Sequence, residues 1–334
     1  MENVKIPVNV EEFKTQADDN LFVFVDNNTL ESEKITAPRY SYWRSVLRIF
    51  FKRKSSWVMS ILLIIILLMS IIYPMIHPYD EYENILLGIG NLSPSEAIAQ
   101  MGFDFKWILG TGSFGNSIWY GIWASARTSI LLAVICAAIN MVLGVLIGAV
   151  WGYSKTLDMI LNFFYNIIAN VPYILLISVL VYIIGSGFGS FVFALTITGW
   201  VGIAYFFRTQ VLVIRDREYN LASRCLGSPF YRVVGHNIMP YLTSVIMTIL
   251  ATELPSYISM EVFLSYIGIG LSAQTASLGR MISVAQNSFM IYPWSFWPPV
   301  VISSIITIVL YVLGQNLADA CDPRTHLWGE NYGK

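Results

Sequence analysis

Long apolar runs alternate along this chain with short polar stretches. No charged residue lies between Lys54 and Asp80, between Arg127 and Lys155, between Asp158 and Arg208, or between Arg280 and Asp319. A membrane-crossing helix needs about 20 consecutive, mostly apolar residues. The pattern predicts six spans, at about residues 57–76, 129–152, 160–184, 190–207, 241–269 and 297–317. The third and fourth divide at Gly185-Ser186-Gly187-Phe188-Gly189, and the fifth contains Glu253 and Glu261.

Shorter patterns fill in the rest. Before the first span, Trp43, Val46, Leu47, Phe50 and Phe51 recur at helical spacing, with Arg44, Arg48 and Lys52 on the other face. This predicts an interfacial amphipathic helix over residues 41–56 with its basic face near anionic headgroups. Residues 1–40 read as a tail. They are polar and acid-rich with no apolar core, so they do not form a signal peptide. Ser93-Pro94-Ser95-Glu96 is a capping box with proline at the first helical position, predicting a short helix to about residue 100. Asn91-Leu92-Ser93 matches a glycosylation sequon, which matters only in a glycosylating cell. Gly144, Gly148 and Gly152 form a four-residue row in the second span, a helix-packing face rather than a substrate site. Pro172 marks a kink in the third.

Composition agrees with the pattern. Of 334 residues, 56% are hydrophobic and only 12% charged, against about 25% charged in an ordinary soluble domain. A soluble enzyme, a disulfide scaffold and a disordered chain are excluded. The net charge of −1 carries no bulk signal for nucleic acid. Lysine and arginine distribution sets the topology. Arg44, Arg48, Lys52, Arg53 and Lys54 precede the first span, and Arg208, Arg215, Arg217, Arg224 and Arg232 fill the loop at 208–240. The loop at 78–126 carries Lys106 against Asp80, Glu81, Glu83, Glu96 and Asp104, and the loop at 271–296 has only Arg280. Both termini, including the tail at 319–334, are therefore expected in the cytoplasm, with the acidic loop at 78–126 outside.

The sequence offers little for catalysis. The only Gly-Lys pair is Gly333-Lys334, so there is no nucleotide-binding loop of the usual kind. His77, His236 and His326 lie far apart and lack ligand spacing with Cys136, Cys225 or Cys321. No metal site and no bound cofactor are expected on this chain.

The distinctive segment lies between the fourth and fifth spans. Residues 218–226 are helix-compatible, and Gly227 supplies a left-handed stop. Ser228 then caps a second short helix with Pro229 at its first position. Phe230, Tyr231, Val233 and Val234 give that helix an apolar side, and Pro240 opens the fifth span. Such a capped pair of short helices suits insertion into a partner's groove. The plainer alternative is a solvated basic loop.

This segment resembles the EAA motif of ABC importer permeases. Ala222, Gly227 and Pro240 match at the family spacing, whereas Leu221 stands for its glutamate, Ser223 for its second alanine, Asn237 for its isoleucine and Met239 for its leucine. Across roughly residues 40–325 the chain is similar to the dipeptide, oligopeptide and nickel permease family. The likeness rests on Ser41-Tyr42-Trp43-Arg44 through Asp80, Gly110-Thr111, Tyr120-Gly121 with Ala126-Arg127-Thr128-Ser129, Glu261 through Gly270, and Asp319 through Arg324. The last two point to the second of the two permeases in such systems. Gly112 and Gly115-Asn116-Ser117 lack the family's acidic and arginine residues.

The resemblance implies an all-α integral membrane protein with the type I ABC importer permease fold, a peptide-importing subunit and not itself an enzyme. It implies a second homologous permease, two ATPases carrying ATP and magnesium, an external or periplasmic peptide-binding protein, and the prokaryotic cytoplasmic membrane. The ATPases would dock the 218–240 loop. Ala222, Ser223 and Gly227 would give close approach, Arg224 polar contact, and Phe230 and Tyr231 apolar docking, with Pro240 at the loop's end. Nickel is the rival cargo within the family. A different class, an ion-coupled secondary transporter using Glu253 and Glu261, remains the alternative, with a structural scaffold third.

Glu253, Tyr257 and Glu261 share one face of the predicted fifth span. Intramembrane carboxylates face protein or water. One reading puts this face on the translocation path, near the peptide amino group. The other has Glu261 bonded to a backbone kink near the outer end and Glu253 in a polar pocket, with Pro255 loosening the helix between them. The residues alone leave both open.

Overall fold

The computed structural model describes residues 41–82, 84, 88–272 and 274–322. The predicted tail at 1–40, Glu83, His326, Pro323-Arg324 and the rest of 323–334 lie outside the described residues. Residues from Trp43 onward form one unit.

The chain is all helical apart from loops and one isolated bridge, Thr111 with Ser117. Helix α1 (Tyr42–Lys52) is the amphipathic segment; it buries Val46 and leaves Trp43, Leu47 and Phe51 exposed. An extended Arg53 separates it from α2 (Lys54–Ile76), the first span. Arg53 pairs with Asp319 at 2.6 Å, and Asn316 donates to Ser55 Oγ at 3.1 Å, so the start of α2 is fastened to the end of the last helix. Exposed Ile61, Ile64, Ile65, Leu68, Ile71 and Ile72 give α2 a lipid-compatible surface.

Helix α3 (Pro94–Met101) begins at the predicted capping box. Glu96 N donates to Ser93 Oγ at 3.4 Å and Ser93 N donates to Glu96 Oε2 at 2.9 Å. Ser93 Oγ also donates to Glu96 Oε2 at 2.7 Å, and this bond, with that from Ser93 N, holds the exposed Glu96 carboxyl below its ordinary range. The following turn has no acidic–arginine pair. It is closed instead by neutral groups: Leu92 N donates to Thr111 Oγ1 at 2.8 Å, and Thr111 Oγ1 donates to Ile89 O at 2.6 Å. Asn116 Nδ2 donates to Tyr79 Oη at 2.8 Å.

Helix α4 (Ile118–Tyr153) is the central span. It starts eleven residues before the predicted position, because Ser117 caps it and Arg127 and Thr128 do not interrupt it. Its glycine row abuts α8 (Gly199–Arg215). A Cβ at Gly148 would lie 2.5 Å from Ala204 O and 2.6 Å from Phe207 Cβ, and one at Gly152 would lie 2.7 Å from Arg208 O. The absence of side chains lets the two backbones meet.

The predicted third span is broken. Helices α5 (Lys155–Ala169) and α6 (Tyr173–Ile184) are bent by 79° at the Asn170-Val171-Pro172 break. Proline has no N–H to continue the α5 ladder. Arg208 forks onto Asp158, fastening α5 to α8, and lies over the rings of Trp151 and Tyr205. Gly185 closes α6 at φ +105°, and α7 (Phe188–Thr196) follows and leads into α8. Counting α5–α6 as one span gives six among the described residues; otherwise there are five.

Helix α9 (Glu218–Cys225) precedes the fifth span, where a second difference appears. The second short helix is not separate. The short α10 (Phe230–Arg232) runs through a π turn (Val233–Ile238) and a 3-10 turn (Met239–Leu242) into α11 (Thr243–Tyr266). Pro240 sits inside this long helix, in the 3-10 turn, rather than at its start. Its missing N–H is accommodated by the altered helical pitch on either side. Pro229, not Ser228, occupies the cap position. Helix α12 (Leu278–Ala285) precedes α13 (Pro293–Cys321). Gly314 of α13 meets Ala251 of α11, with a Cβ position only 2.5 Å from Ala251 Cα.

Candidate coupling segment and intramembrane cavity

Helix α9 stands on the end of α8. Glu218 in its first turn and Arg224 in its last match the helix dipole. Fully buried Asn220 donates to Ile214 O at 2.9 Å. Arg224 Nη2 donates to Arg215 O at 3.3 Å, and its guanidinium lies 4.6 Å from the centre of the Tyr153 ring. Arg215 in turn donates to Gly152 O at 3.0 Å and to Asp216, holding the Asp216 carboxyl below its ordinary range. Arg224, predicted as a polar contact for a partner, is thus used within the chain to brace α9.

The stop at Gly227 has both bonds of a Schellman motif: Gly227 N donates to Arg224 O at 2.9 Å and Ser228 N to Ser223 O at 3.1 Å. Gly227 has φ +79°. Ser228 therefore closes α9 with its backbone rather than capping α10 with its side chain. Ala222 and Gly227 are exposed, Ser223 is half-buried, and Pro240 is exposed. Phe230 packs edge-on against Tyr153 at 4.8 Å, whereas Tyr231 is 70% exposed. Leu226, 87% exposed, projects beside the stop, and Tyr219 is also exposed. Sequence reasoning passed over Tyr219 and Leu226. Their spacing with Ala222, at i, i+3 and i+7, is the signal that places all three on one face.

The structure separates the three residues expected on one face of the fifth span. Glu261 is fully buried. It accepts from Ser129 Oγ of α4 at 3.0 Å, from Ser265 Oγ at 3.1 Å and from Gly279 N of α12 at 3.4 Å, and it lines no cavity described here. Ser129 Oγ also accepts from Leu278 N at 3.1 Å. Glu261 therefore joins α4, α11 and the start of α12. Replacing Glu261 by leucine orphans the Gly279 N–H, and a buried donor without a partner costs about 1–3 kcal/mol. The Glu261→Leu complex is expected to melt earlier in detergent, while Glu261→Gln, which keeps an acceptor oxygen, stays near the wild-type midpoint. Equal midpoints for Leu and wild type would contradict this role.

Glu253 and Tyr257 line a cavity of about 290 Å³ with Tyr173, Thr198, Gly199, Gly202, Ser256 and Met260. Tyr257 is buried, and its hydroxyl accepts from Asn140 Nδ2 at 2.6 Å. Tyr173 donates to Leu195 O at 3.0 Å. Two spans thus position the tyrosines beside a carboxylate halfway along α11. Among the described residues no group of three or more His, Cys, Asp or Glu side chains is arranged to hold a metal ion.

A bundle of membrane-length helices, with a capped helix between the fourth and fifth spans, defines a multi-pass membrane permease. Residues 141–327 match the family described as binding-protein-dependent transport system inner membrane component, and residues 41–94 match the N-terminal TM domain of oligopeptide transport permease C. The chain belongs to this permease family and is an OppC-like component of a binding-protein-dependent ABC transporter. It is similar to the oligopeptide transport system permease protein AmiD of Streptococcus pneumoniae, 44% identical over 92% of this chain and 98% of the relative. The oligopeptide transport system permease protein OppC of Bacillus subtilis is 32% identical over 91% and 97%. The dipeptide transport system permease protein DppC of the same species is 30% identical over 96% and 99%.

Proposed function

We propose that this permease imports peptides, with a second homologous permease completing the pore, two ATP-binding subunits at the α9 end and an external peptide-binding protein at the other. The peptide assignment follows the names of the relatives above. The observation that carries the coupling role is α9 itself. It is a helix braced on α8 by Asn220 and Arg224, with exposed Tyr219 and Leu226 along one face and exposed Tyr231 following on α10. A rigid helix with an apolar face suits a groove in a partner, and force on it passes directly to α8 and to the long α10–α11 helix.

In this reading Ala222, Ser223 and Gly227 are the closely approached surface. Phe230 anchors the start of α10 on Tyr153, and Pro240 lies on the same long helix. The basic segments at α1 and α9 face the cytoplasm, as charge asymmetry favours, which puts both termini there. ATP and magnesium belong to the partner ATPases. Glu253 and Tyr257 lie on the path taken by the cargo.

Purification of the tagged chain from its own membrane in mild detergent, followed by mass spectrometry, tests the assembly. A second permease and two ATPases are expected to accompany it. Recovery of the chain alone, under conditions that keep a known ABC complex intact, would overturn the proposed set of partners. Uptake of tri-alanine but not nickel by the reconstituted assembly is the expected cargo result.

A further inference from the structure

We propose that the cavity around Glu253 is a cation subsite on the permease wall, taking the ammonium group of a passing peptide. The inference rests on the importer reading above and adds the chemical group the site recognises.

Glu253 lies midway along a membrane-spanning helix, where a carboxylate is costly and marks a functional path by default. It is not spent on structure in the manner of Glu261. No lysine, arginine or histidine among the described residues pairs with it. It hydrogen-bonds the Tyr257 hydroxyl, and the rest of the carboxylate faces the cavity. Gly202 of α8, where an added Cβ would meet nothing within 4 Å, leaves room on the facing wall, and Ser256 lies one turn on. The Tyr257 hydroxyl beside it is held by Asn140, and Tyr173 by a backbone carbonyl, so both rings are fixed as walls.

The cavity also adjoins two further recesses along α11. It shares Ser256 and Met260 with a second recess of about 650 Å³, which shares Ser259 and Phe263 with a third of about 460 Å³. The exposed residues of α11 along this line are Thr248, Thr252, Ser256, Ser259, Phe263 and Tyr266. Thr248 and Thr252 turn their hydroxyls onto carbonyls of their own helix, and Ser256 and Ser259 carry the hydroxyl row past Glu253, a surface suited to water or a second subunit across a wet path. A peptide with a free amino terminus always carries one ammonium there, whatever its side chains. One carboxylate among sequence-neutral hydroxyls would hold that constant feature and ignore the rest. A lysine side chain offers the same chemistry from a second source.

The test uses the complete transporter in vesicles, with Cys136, Cys225 and Cys321 replaced by alanine. Ser256→Cys is labelled with 2-aminoethyl methanethiosulfonate, which is cationic, and with the anionic 2-sulfonatoethyl reagent. A cavity lined by one sign of charge enriches the opposite ion by about tenfold or more. The cationic reagent is expected to react about tenfold faster, and Glu253→Gln to bring the two rates together. No labelling by either reagent, or a preference unchanged by Glu253→Gln, overturns the proposal.

Uptake then separates the sources. Tri-alanine carries only an α-ammonium, N-acetyl-Ala-Lys-Ala only a side-chain one, and a desamino tri-alanine neither. Slowing of the first by Glu253→Gln, with the others unchanged, assigns the amino terminus; slowing of the second alone assigns lysine. Equal slowing of all three makes Glu253 structural and overturns the subsite. If the wild-type transporter moves no peptide while the labelling preference stands, the importer reading fails and the cation subsite remains.

Discussion

Replacing Gly148 by isoleucine is expected to cut the amount of folded permease at least about tenfold. A Cβ there would sit 2.5 Å from Ala204 O, 2.6 Å from Phe207 Cβ and 3.1 Å from Ala204 Cα. Two of those three atoms are backbone, so no rotamer change relieves the overlap. Extra carbon in a packed interior ordinarily costs about 1–3 kcal/mol, and more where the surroundings cannot shift. Here α8 cannot move alone. Its start shares a close approach with α4, since a Cβ at Gly199 would lie 2.5 Å from Asn140 Nδ2, and its end is tied to Gly152 O by Arg215 and to α5 by Arg208. We expect the assembled complex, read by size exclusion in detergent, to fall at least about tenfold, since each 1.4 kcal/mol is a factor of ten. The control is Gly189→Ala in α7, where an added Cβ meets nothing within 4 Å. Normal recovery of Gly148→Ile would mean that the α4–α8 contact is not the seam of the bundle.

That seam shows which parts of the molecule sequence reasoning could reach. Glycines at 144, 148 and 152 announce a close-packed face, because small residues four apart lie on one side of a helix. They do not say what meets that face. Ile203, Ala204, Phe207 and Val211 are ordinary span residues with no pattern pointing back across more than fifty positions. Pro172 likewise announced a kink, but neither its 79° angle nor the Arg208 of α8 that holds the far end of α5. The capping box at Ser93 was fully legible because every partner lies within three residues.

Glu261 was the opposite case. The cost of a buried carboxylate was plain, but its partners Ser129 and Gly279 arrive from two other helices. Placing it with Glu253 and Tyr257 by helical spacing alone therefore joined residues that tertiary structure uses differently. Arg224 was legible as a basic residue at the end of an exposed helix, but the Tyr153 ring it lies over comes from α4 and left no mark in the local sequence.

Gly227 gives the strongest test of coupling, because its environment separates backbone strain from crowding. It has φ +79°, and a Cβ there would meet nothing within 4 Å. A side chain has room; what it lacks is a comfortable backbone. A β-branched residue in this left-handed region costs about 1–3 kcal/mol, whereas asparagine tolerates it. Gly227→Val is therefore expected to unwind the Schellman turn and release α9 from its fixed direction, cutting peptide uptake and peptide-stimulated ATP hydrolysis at least about tenfold. The amount of chain in the membrane stays the same, because the turn lies outside the packed spans. Gly227→Asn, larger than alanine but at ease at φ +79°, is expected to retain most of both activities, with Gly227→Ala between them. That order, asparagine above alanine above valine, follows backbone preference rather than size. If valine transports as well as glycine, the stop at 227 does not transmit force, and if asparagine fails as badly as valine, the requirement at 227 is empty space for a partner rather than the angle at which α9 ends.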